Sequence, residues 1–270
     1  MALTDFQRGI CRLVADQRKE AGVSYVAGGV ALNLLLDSGR VSRDIDVFHD
    51  AEAAVHALFA ADRRLLESHG YTVDTLRELP AFIEAVIRKA RDEVRMEWAR
   101  DSAFRFFPLM EHEDLGLTLH PFDLATNKVL ALVGRLEVRD WIDAISSHER
   151  LQPLGYLLWA ACGKDPGFGP GSLLEHARRT THYSAPEIAQ LAFVGSPPDA
   201  HALAVTWRTA LDQAAAIIDE LPYERAGTCV LDARAGLFRG DPPALKRALT
   251  EDVIRFHEGS LGGAYPRLLS

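Results

Sequence analysis

The chain of 270 residues carries 30 Lys and Arg against 38 Asp and Glu, a formal net charge of −8, with 48% hydrophobic and 25% charged residues. That composition belongs to an ordinary soluble globular protein with room for one large domain or two smaller ones, and the sequence holds no internal repeat and no low-complexity tract. The acidic balance argues against coating nucleic acid by charge alone, although a local basic groove could still hold an RNA end.

No run of eighteen uncharged apolar residues occurs, and "MALTDFQRGICRLVADQRKE" is charged through every turn. Neither a membrane span nor a signal peptide is therefore expected, and the protein is placed in the cytoplasm. Cys11, Cys162 and Cys229 are odd in number, scattered and without CxxC spacing, so they read as reduced, buried thiols.

In chain order, Phe6, Ile10, Leu13 and Val14 follow a Thr or Asp cap at helical spacing, predicting an amphipathic helix from Thr4 to about Ala21 that Gly22 stops. "SYVAGG" reads as a strand entering a glycine turn, "VALNLLLDSG" as a short buried helix ended by Gly39, and "RDIDVF" as a strand. A helix over Ala51 to His69 follows, with Val55, Leu58, Phe59, Leu65 and Leu66 on its apolar side and Gly70 as terminator, and then "YTVDTL" as a strand. The apolar spacing of "AFIEAVIRKARDEVRMEWARD" tolerates a helix, but Phe82 to Arg88 and Val94 to Trp98 around "KARDE" favour a hairpin. From Pro121 the pattern becomes helical, with Val129, Leu132, Val133 and Leu136 repeating at three and four. "GKDPGFGPGS" (163–172) and "GSPPDA" near 195 are the strongest loop signals, and "GSLGGAYPRLLS" reads as a loosely ordered tail. Two domains are expected, 1–120 and 121–270, with the active site in a cleft that the second closes.

Asp44 and Asp46 alternate with Ile45 and Val47, so in a strand both carboxylates point the same way. Two such charges repel, and the relief is solvent or a cation, magnesium being favoured by oxygen-only ligands. In isolation the tripeptide is common by chance and reads as a solvated strand end. Gly28 and Gly29, at a strand-to-helix junction, read alone as a tight turn, but absent side chains there also let backbone N–H groups approach phosphate oxygens. Together the two features supply a phosphate cradle and a metal-binding strand, the parts needed to hold a nucleoside triphosphate with its magnesium.

Gly28, Gly29, Ala31, Leu32, Ser42, Asp44, Ile45, Asp46 and Phe48 resemble the "GGxAL…S.DIDLF" block of the AbiEii-type nucleotidyltransferase toxin family, within the DNA polymerase beta-like superfamily. A second block, "HPFDLATNKVLALVGRLEVRDWIDAI", is similar to the family's "dla..K..A...R...RD..D" segment through Lys128, Arg135, Arg139, Asp140 and Asp143. The resemblance covers roughly residues 22 to 145. It implies an α/β (α+β) fold, a nucleotidyltransferase mixed sheet with flanking helices plus a helical C-terminal lobe.

The activity so implied is transfer of a nucleoside monophosphate from an NTP to an acceptor hydroxyl, with Mg2+ or Mn2+ held by Asp44, Asp46 and a third carboxylate from a later strand. Glu97 in "VRMEW" is the leading candidate for that acid and Asp92 the weaker one, though Glu97 reads equally as a surface charge. Gly28, Gly29 and Ser42 would hold the triphosphate, and Lys128 and Arg135, seven residues apart on one helical face, would offset its charge. Asp140 would position one of those cations; Asp140 and Asp143, one turn apart, read as orienting the cations, as assisting the acceptor, or as simple partners of Arg139 and Arg135. The resemblance further implies the toxin of a toxin-antitoxin pair with a cognate antitoxin, acting on RNA such as tRNA 3′ ends, while related folds modify proteins or antibiotics. The loop from Gly39 to Ser42 is short and basic, a departure from the family, and the third acid is a glutamate.

Other chemistries lack their motifs. The ten histidines show no HxxxH or HExxH spacing, no GxSxG elbow occurs, and "GPGS" at 169–172 lacks the lysine of a phosphate-binding loop and reads as a turn and helix cap. The rival class is a noncatalytic interaction protein on the same fold, with the carboxylates kept for stability or docking.

Overall fold

A computed structural model describes residues 3–179 and 182–266, so the last four residues of the expected tail lie outside the described residues. In chain order its elements begin α1 (Asp5–Ala21), β1 (Ser24–Ala27), α2 (Gly28–Leu36), β2 (Arg40–Val41), β3 (Asp44–His49), α3 (Glu52–Ser68), β4 (Thr72–Leu79), β5 (Phe82–Lys89) and β6 (Asp92–Arg100). They continue with β7 (Phe104–Arg105), β8 (Met110–His112), β9 (Gly116–Thr118), α4 (Pro121–Arg135), α5 (Val138–Arg150), α6 (Leu154–Ala161), α7 (Pro170–Ala177), α8 (Ala185–Ala189) and β10 (Ala192–Phe193). The remainder is α9 (Ala200–Glu220), β11 (Cys229–Leu231), α10 (Pro242–Thr250), β12 (Arg255–His257) and β13 (Ser260–Leu261).

Contacts divide the chain into two units. One comprises Met1–Ala103, Pro108–His120 and Ala192–Gly195, the other Phe104–Phe107, Pro121–Leu191 and Ser196–Ser270.

The first unit is built on a mixed seven-stranded sheet of order β4-β5-β6-β3-β1-β9-β8. β3 runs parallel to β6 and β1 parallel to β9, and the other neighbours are antiparallel. Residues 82–100 form the expected hairpin, because Ile83, Ala85, Ile87 on β5 and Val94, Met96, Trp98 on β6 alternate as a period-2 apolar face. α1 and α3 pack on the sheet. Trp98 Nε1 donates to Asp62 of α3 at 2.8 Å, and Arg18 of α1 reaches the same oxygen at 2.9 Å, so an ion pair with both side chains under 3% exposed lies in this core.

α1 starts with a capping box, Thr4 accepting from Gln7 N–H at 3.1 Å, and ends at Gly22 with φ 65, as its spacing predicts. Two boundaries differ from expectation. α2 begins at Gly28 itself, so the glycines form its first turn and not a separate loop, and it ends at Asp37 in the left-handed conformation (φ 48), two residues before Gly39. The β8–β9 pair, which joins the sheet beside β1, is too short for its apolar period to register in the sequence.

The second unit is mainly helical, with two small strand pairs, β11–β12 and β7–β13. Its core gathers Tyr156, Trp159, Ile217, Leu221, Val230 and Leu245. α6 is buried along its whole length against α9, and Gly155 permits the approach: a Cβ there would meet Ile217 Cβ at 2.7 Å and Ala214 Cα at 3.0 Å. Asp123, fully buried, accepts from the N–H groups of Phe106 and Phe107 at 2.9 and 3.0 Å and pairs with Lys164 at 2.8 Å. α7 opens on Pro170 with a Gly169 and Ser172 cap, the role expected for "GPGS". All three cysteines are free and buried. Among the described residues no helix is long and apolar enough to cross a membrane.

Candidate active site

β3 exposes Asp44, Asp46 and Phe48 in part on one face and buries Ile45, Val47 and His49 on the other. The parallel register sets Asp44 beside Arg95 and Asp46 beside Glu97, and the antiparallel register of β5 sets Glu84 beside Glu97. Three adjacent strands thus present Asp46, Glu97 and Glu84 in one row across the sheet. Arg95 Nη1 bonds Glu84 Oε1 at 2.7 Å. Asp92 has the parity of Val94 and Met96 and so stands on the opposite face from Glu97.

These acids feel one another. Burial, then the charges of Asp46, Asp44 and Glu84, push the Glu97 carboxyl up from 4.5 to about 6, with Arg95 opposing. A cation among them would relieve that repulsion. Among the described residues no three His, Cys, Asp or Glu side chains already converge as a closed metal cage. A magnesium site does not ask for one, because this ion takes one or two carboxylates and completes its shell with water and substrate phosphate oxygens. The oxygen-only donors and their mutual repulsion fit such an ion.

β1 pairs antiparallel with β3 so that Ala27 lies opposite Asp46, and the next residue opens α2. Gly28 has φ 63, and a Cβ built on it would stand 1.7 Å from Asp46 Oδ2. A Cβ on Gly29 would stand 2.6 Å from Arg40 Nη2 and 3.1 Å from Ser42 Oγ. The double glycine is thus required twice, once by a carboxylate and once by a guanidinium. Ser42 is nearly buried, and its carbonyl accepts from Gln7 Nε2 at 2.8 Å. Gly28, Gly29, Ser42, Asp44, Asp46 and Glu97 therefore belong to one region of the first unit.

Lys128, Arg135, Asp140 and Asp143 belong to the second unit and form one ionic cluster there. Lys128 Nζ lies 2.8 Å from Asp140 Oδ1 and 3.2 Å from Asp143 Oδ2, while Arg135 grips Asp140 through Nε at 2.6 Å and Nη2 at 3.0 Å. Burial alone would raise the Asp140 carboxyl, but Arg135 and Lys128 outweigh it and hold it below its ordinary range. Arg139 pairs with Glu137 at 2.7 Å.

Arg40 and Glu84 were not singled out by motif. Parity is the signal that marks Arg40: it stands at two-residue intervals with Ser42, Asp44 and Asp46. Glu84 is marked by its place in the alternating β5 pattern opposite Glu97.

No protein-family model and no curated protein matches the sequence. Among solved structures the chain is similar to MenT4, a nucleotidyltransferase toxin from Mycobacterium tuberculosis, at 16% identity and a TM-score of 0.54, over 81% of this chain and 85% of that one. The chain has the nucleotidyltransferase fold. A second likeness, to JHP933 from Helicobacter pylori, has 15% identity and a TM-score of 0.55 over 81% of this chain and 95% of that one.

Proposed function

We propose that the protein is a magnesium-dependent nucleotidyltransferase that moves a nucleoside monophosphate from an NTP to an acceptor hydroxyl. The supporting observation is the juxtaposition of Asp44, Asp46 and Glu97 on adjacent parallel strands with the Gly28–Gly29 start of α2. Asp44, Asp46 and Glu97 would hold Mg2+ or Mn2+, which when bound supplies positive charge at the phosphate oxygens and makes the acceptor hydroxyl more acidic.

The chain's own groups do the rest. N–H groups of the first turn of α2 and the Ser42 hydroxyl receive phosphate oxygens, since the amino end of a helix carries unsatisfied donors and a positive partial charge. The acceptor oxygen bonds to the α-phosphorus as the bond to the β-phosphate bridge breaks; pyrophosphate leaves and the hydroxyl proton passes to solvent. Lys128 and Arg135, oriented by Asp140, are assigned the offsetting of phosphate charge.

The fold shared with MenT4, a nucleotidyltransferase toxin, is consistent with a further reading as a toxin, and the AbiEii-type motif resemblance extends it to a toxin-antitoxin pair acting on RNA such as tRNA 3′ ends, partnered by an antitoxin. Purified protein incubated with each α-labelled NTP, magnesium, bacterial RNA and protein extract, beside Asp46→Asn, tests both levels. Label entering RNA only with the wild type supports the full reading. Label entering protein instead keeps the enzyme and changes the acceptor, and failure of any NTP to bind overturns the enzyme.

A further inference from the structure

On β3, β5 and β6 the side chains of one parity, Val47, Ala85 and Met96 among them, are buried, while those of the other parity stay partly or well exposed along each strand. Strand register orders this open face into rows. Asp44 stands beside Arg95 and Val86, Asp46 beside Glu97 and Glu84, and Phe48 beside Ala99 and Phe82. Successive rows are about 6.8 Å apart, so the acids lie between a row with a cation and a row with two rings.

The sheet order puts β1 and α2 to one side of β3, and β6 and β5 to the other. With the triphosphate on α2, the bond that breaks lies on the α2 side, and an attacking oxygen enters in line from the β6–β5 side. The acceptor therefore meets the open face of β6 and β5.

In the row of rings, Ala99 is a notch between Phe48 and Phe82. Neighbouring strands are about 4.8 Å apart, so the two rings are rooted about 9.6 Å from each other. A planar base in contact with both needs about 7–8 Å. Arg77 sets its guanidinium carbon 5.6 Å from the Phe82 ring centre and adds a cation at the rim. In the opposite row, Arg95 gives Nη1 to Glu84 Oε1 at 2.7 Å and keeps 51% of its side chain exposed. Beside it opens a cavity of about 410 Å³, with Arg43, Asp44, Val86, Glu93 and Arg95 in its wall. That volume falls within the range of ligand pockets. Glu93 is itself paired with Arg88 at 3.0 Å.

We propose that this face is the acceptor site and that it takes the 3′-terminal nucleotide of a single-stranded nucleic acid. The base enters the notch between Phe48 and Phe82, the ribose hydroxyl lies over Glu97, the phosphate lies on Arg95, and the preceding chain runs into the cavity. The inference rests on the nucleotidyltransferase reading and deepens it by naming the acceptor's contacts. Base and phosphate of one nucleotide lie on opposite sides of its hydroxyl, as the rings and Arg95 lie on opposite sides of the acids. Rings interleaved with arginine on an open sheet bind single strands by stacking and charge. The hydroxyl oxygen bonds to the α-phosphorus, the bond to the β-phosphate bridge breaks, pyrophosphate leaves and the proton passes to solvent.

The test is fluorescence anisotropy of the full chain, in magnesium buffer at several salt concentrations, with a short 5′-labelled single-stranded oligoribonucleotide, beside calorimetric titration with an NTP. Arg95→Gln is expected to weaken the oligonucleotide about tenfold and to lower the slope of log affinity against log salt by about 0.7, the share of one phosphate contact. Phe82→Leu is expected to weaken it about tenfold with the slope unchanged, and Phe82→Tyr to restore it, since stacking needs the ring. NTP affinity stays at the wild-type value in all three, a selectivity that packing damage does not produce. Should Phe82→Leu not fold, the Arg95→Gln slope decides. Wild-type oligonucleotide affinity in the variants, or equal losses for a blunt duplex and the single strand, overturns the acceptor site. A wild type that binds NTP but not the oligonucleotide overturns the acceptor site alone, and one that binds neither overturns the nucleotidyltransferase reading.

Discussion

The carboxylate of Asp46 lies against Gly28, so closely that a Cβ on residue 28 would fall 1.7 Å from Oδ2. Strand pairing makes this contact unavoidable, because Ala27 is the register partner of Asp46 and Gly28 follows it with φ 63. Gly28→Ala must therefore both strain the backbone, by about 1–2 kcal/mol, and push the carboxylate aside. Transfer is expected to fall by at least ~100-fold with a melting point lowered by several degrees. An alanine variant of full activity would mean that Asp46 does not need this position.

Asp44→Asn and Asp46→Asn are expected to remove transfer while leaving the fold intact, because each removes an anionic ligand and only a partly exposed charge. Each also relieves the crowding at Glu97, whose carboxyl Asp46 and Asp44 push upward after burial. Metal-free melting points equal to or above that of the wild type are thus expected, together with a lower Glu97 titration by carboxyl-carbon NMR. A melting point several degrees below the wild type would assign these acids to structure.

Much of the fold was legible because periodicity survives where elements are long. The 82–100 hairpin declares itself through alternating Ile83, Ala85, Ile87 and Val94, Met96, Trp98, and α1 through its cap and Gly22. The pair Asp44 and Asp46 was legible for the same reason of parity. What the sequence concealed depends on residues distant along the chain. Arg40 packs its guanidinium against Gly29 and its strand pairs with Phe193, Glu84 joins the acids only through cross-strand register, and the Lys128–Asp140 bond depends on α4 packing against α5. Local windows carry no term for such contacts.

His49 gives the first unit an acid limit. It is fully buried, and neither ring nitrogen has a hydrogen-bond partner among the described residues; burial and then the Arg18 charge lower its pKa from 6.5 to about 4. The unfolded chain therefore binds a proton at a pH where the folded chain does not, so stability is present in full above 6.5 and is lost as pH falls toward 4, by about 3 kcal/mol. Glu97 acts in the opposite sense between 4.5 and 6, since its raised carboxyl holds its proton longer when folded. Denaturant midpoints measured from pH 7 to pH 4 should fall less steeply in His49→Phe than in the wild type. Parallel curves for the two proteins would remove His49 as the cause.

The ionic cluster of the second unit should divide unequally between its two cations. Lys128 has 8% of its side chain exposed and touches both Asp140 and Asp143, whereas Arg135 has 45% exposed and touches Asp140 from the solvent side. Removing a buried cation leaves buried carboxylates short of their counter-charge and costs about 3–5 kcal/mol, while an exposed partner contributes about 1 kcal/mol or less. Lys128→Met is accordingly expected to cost about 3 kcal/mol in urea unfolding and Arg135→Gln about 1. If the cluster also offsets triphosphate charge, Arg135→Gln, the milder structural change, must raise the KM for NTP by severalfold. An Arg135→Gln enzyme with unchanged KM would confine the cluster to holding α4 on α5.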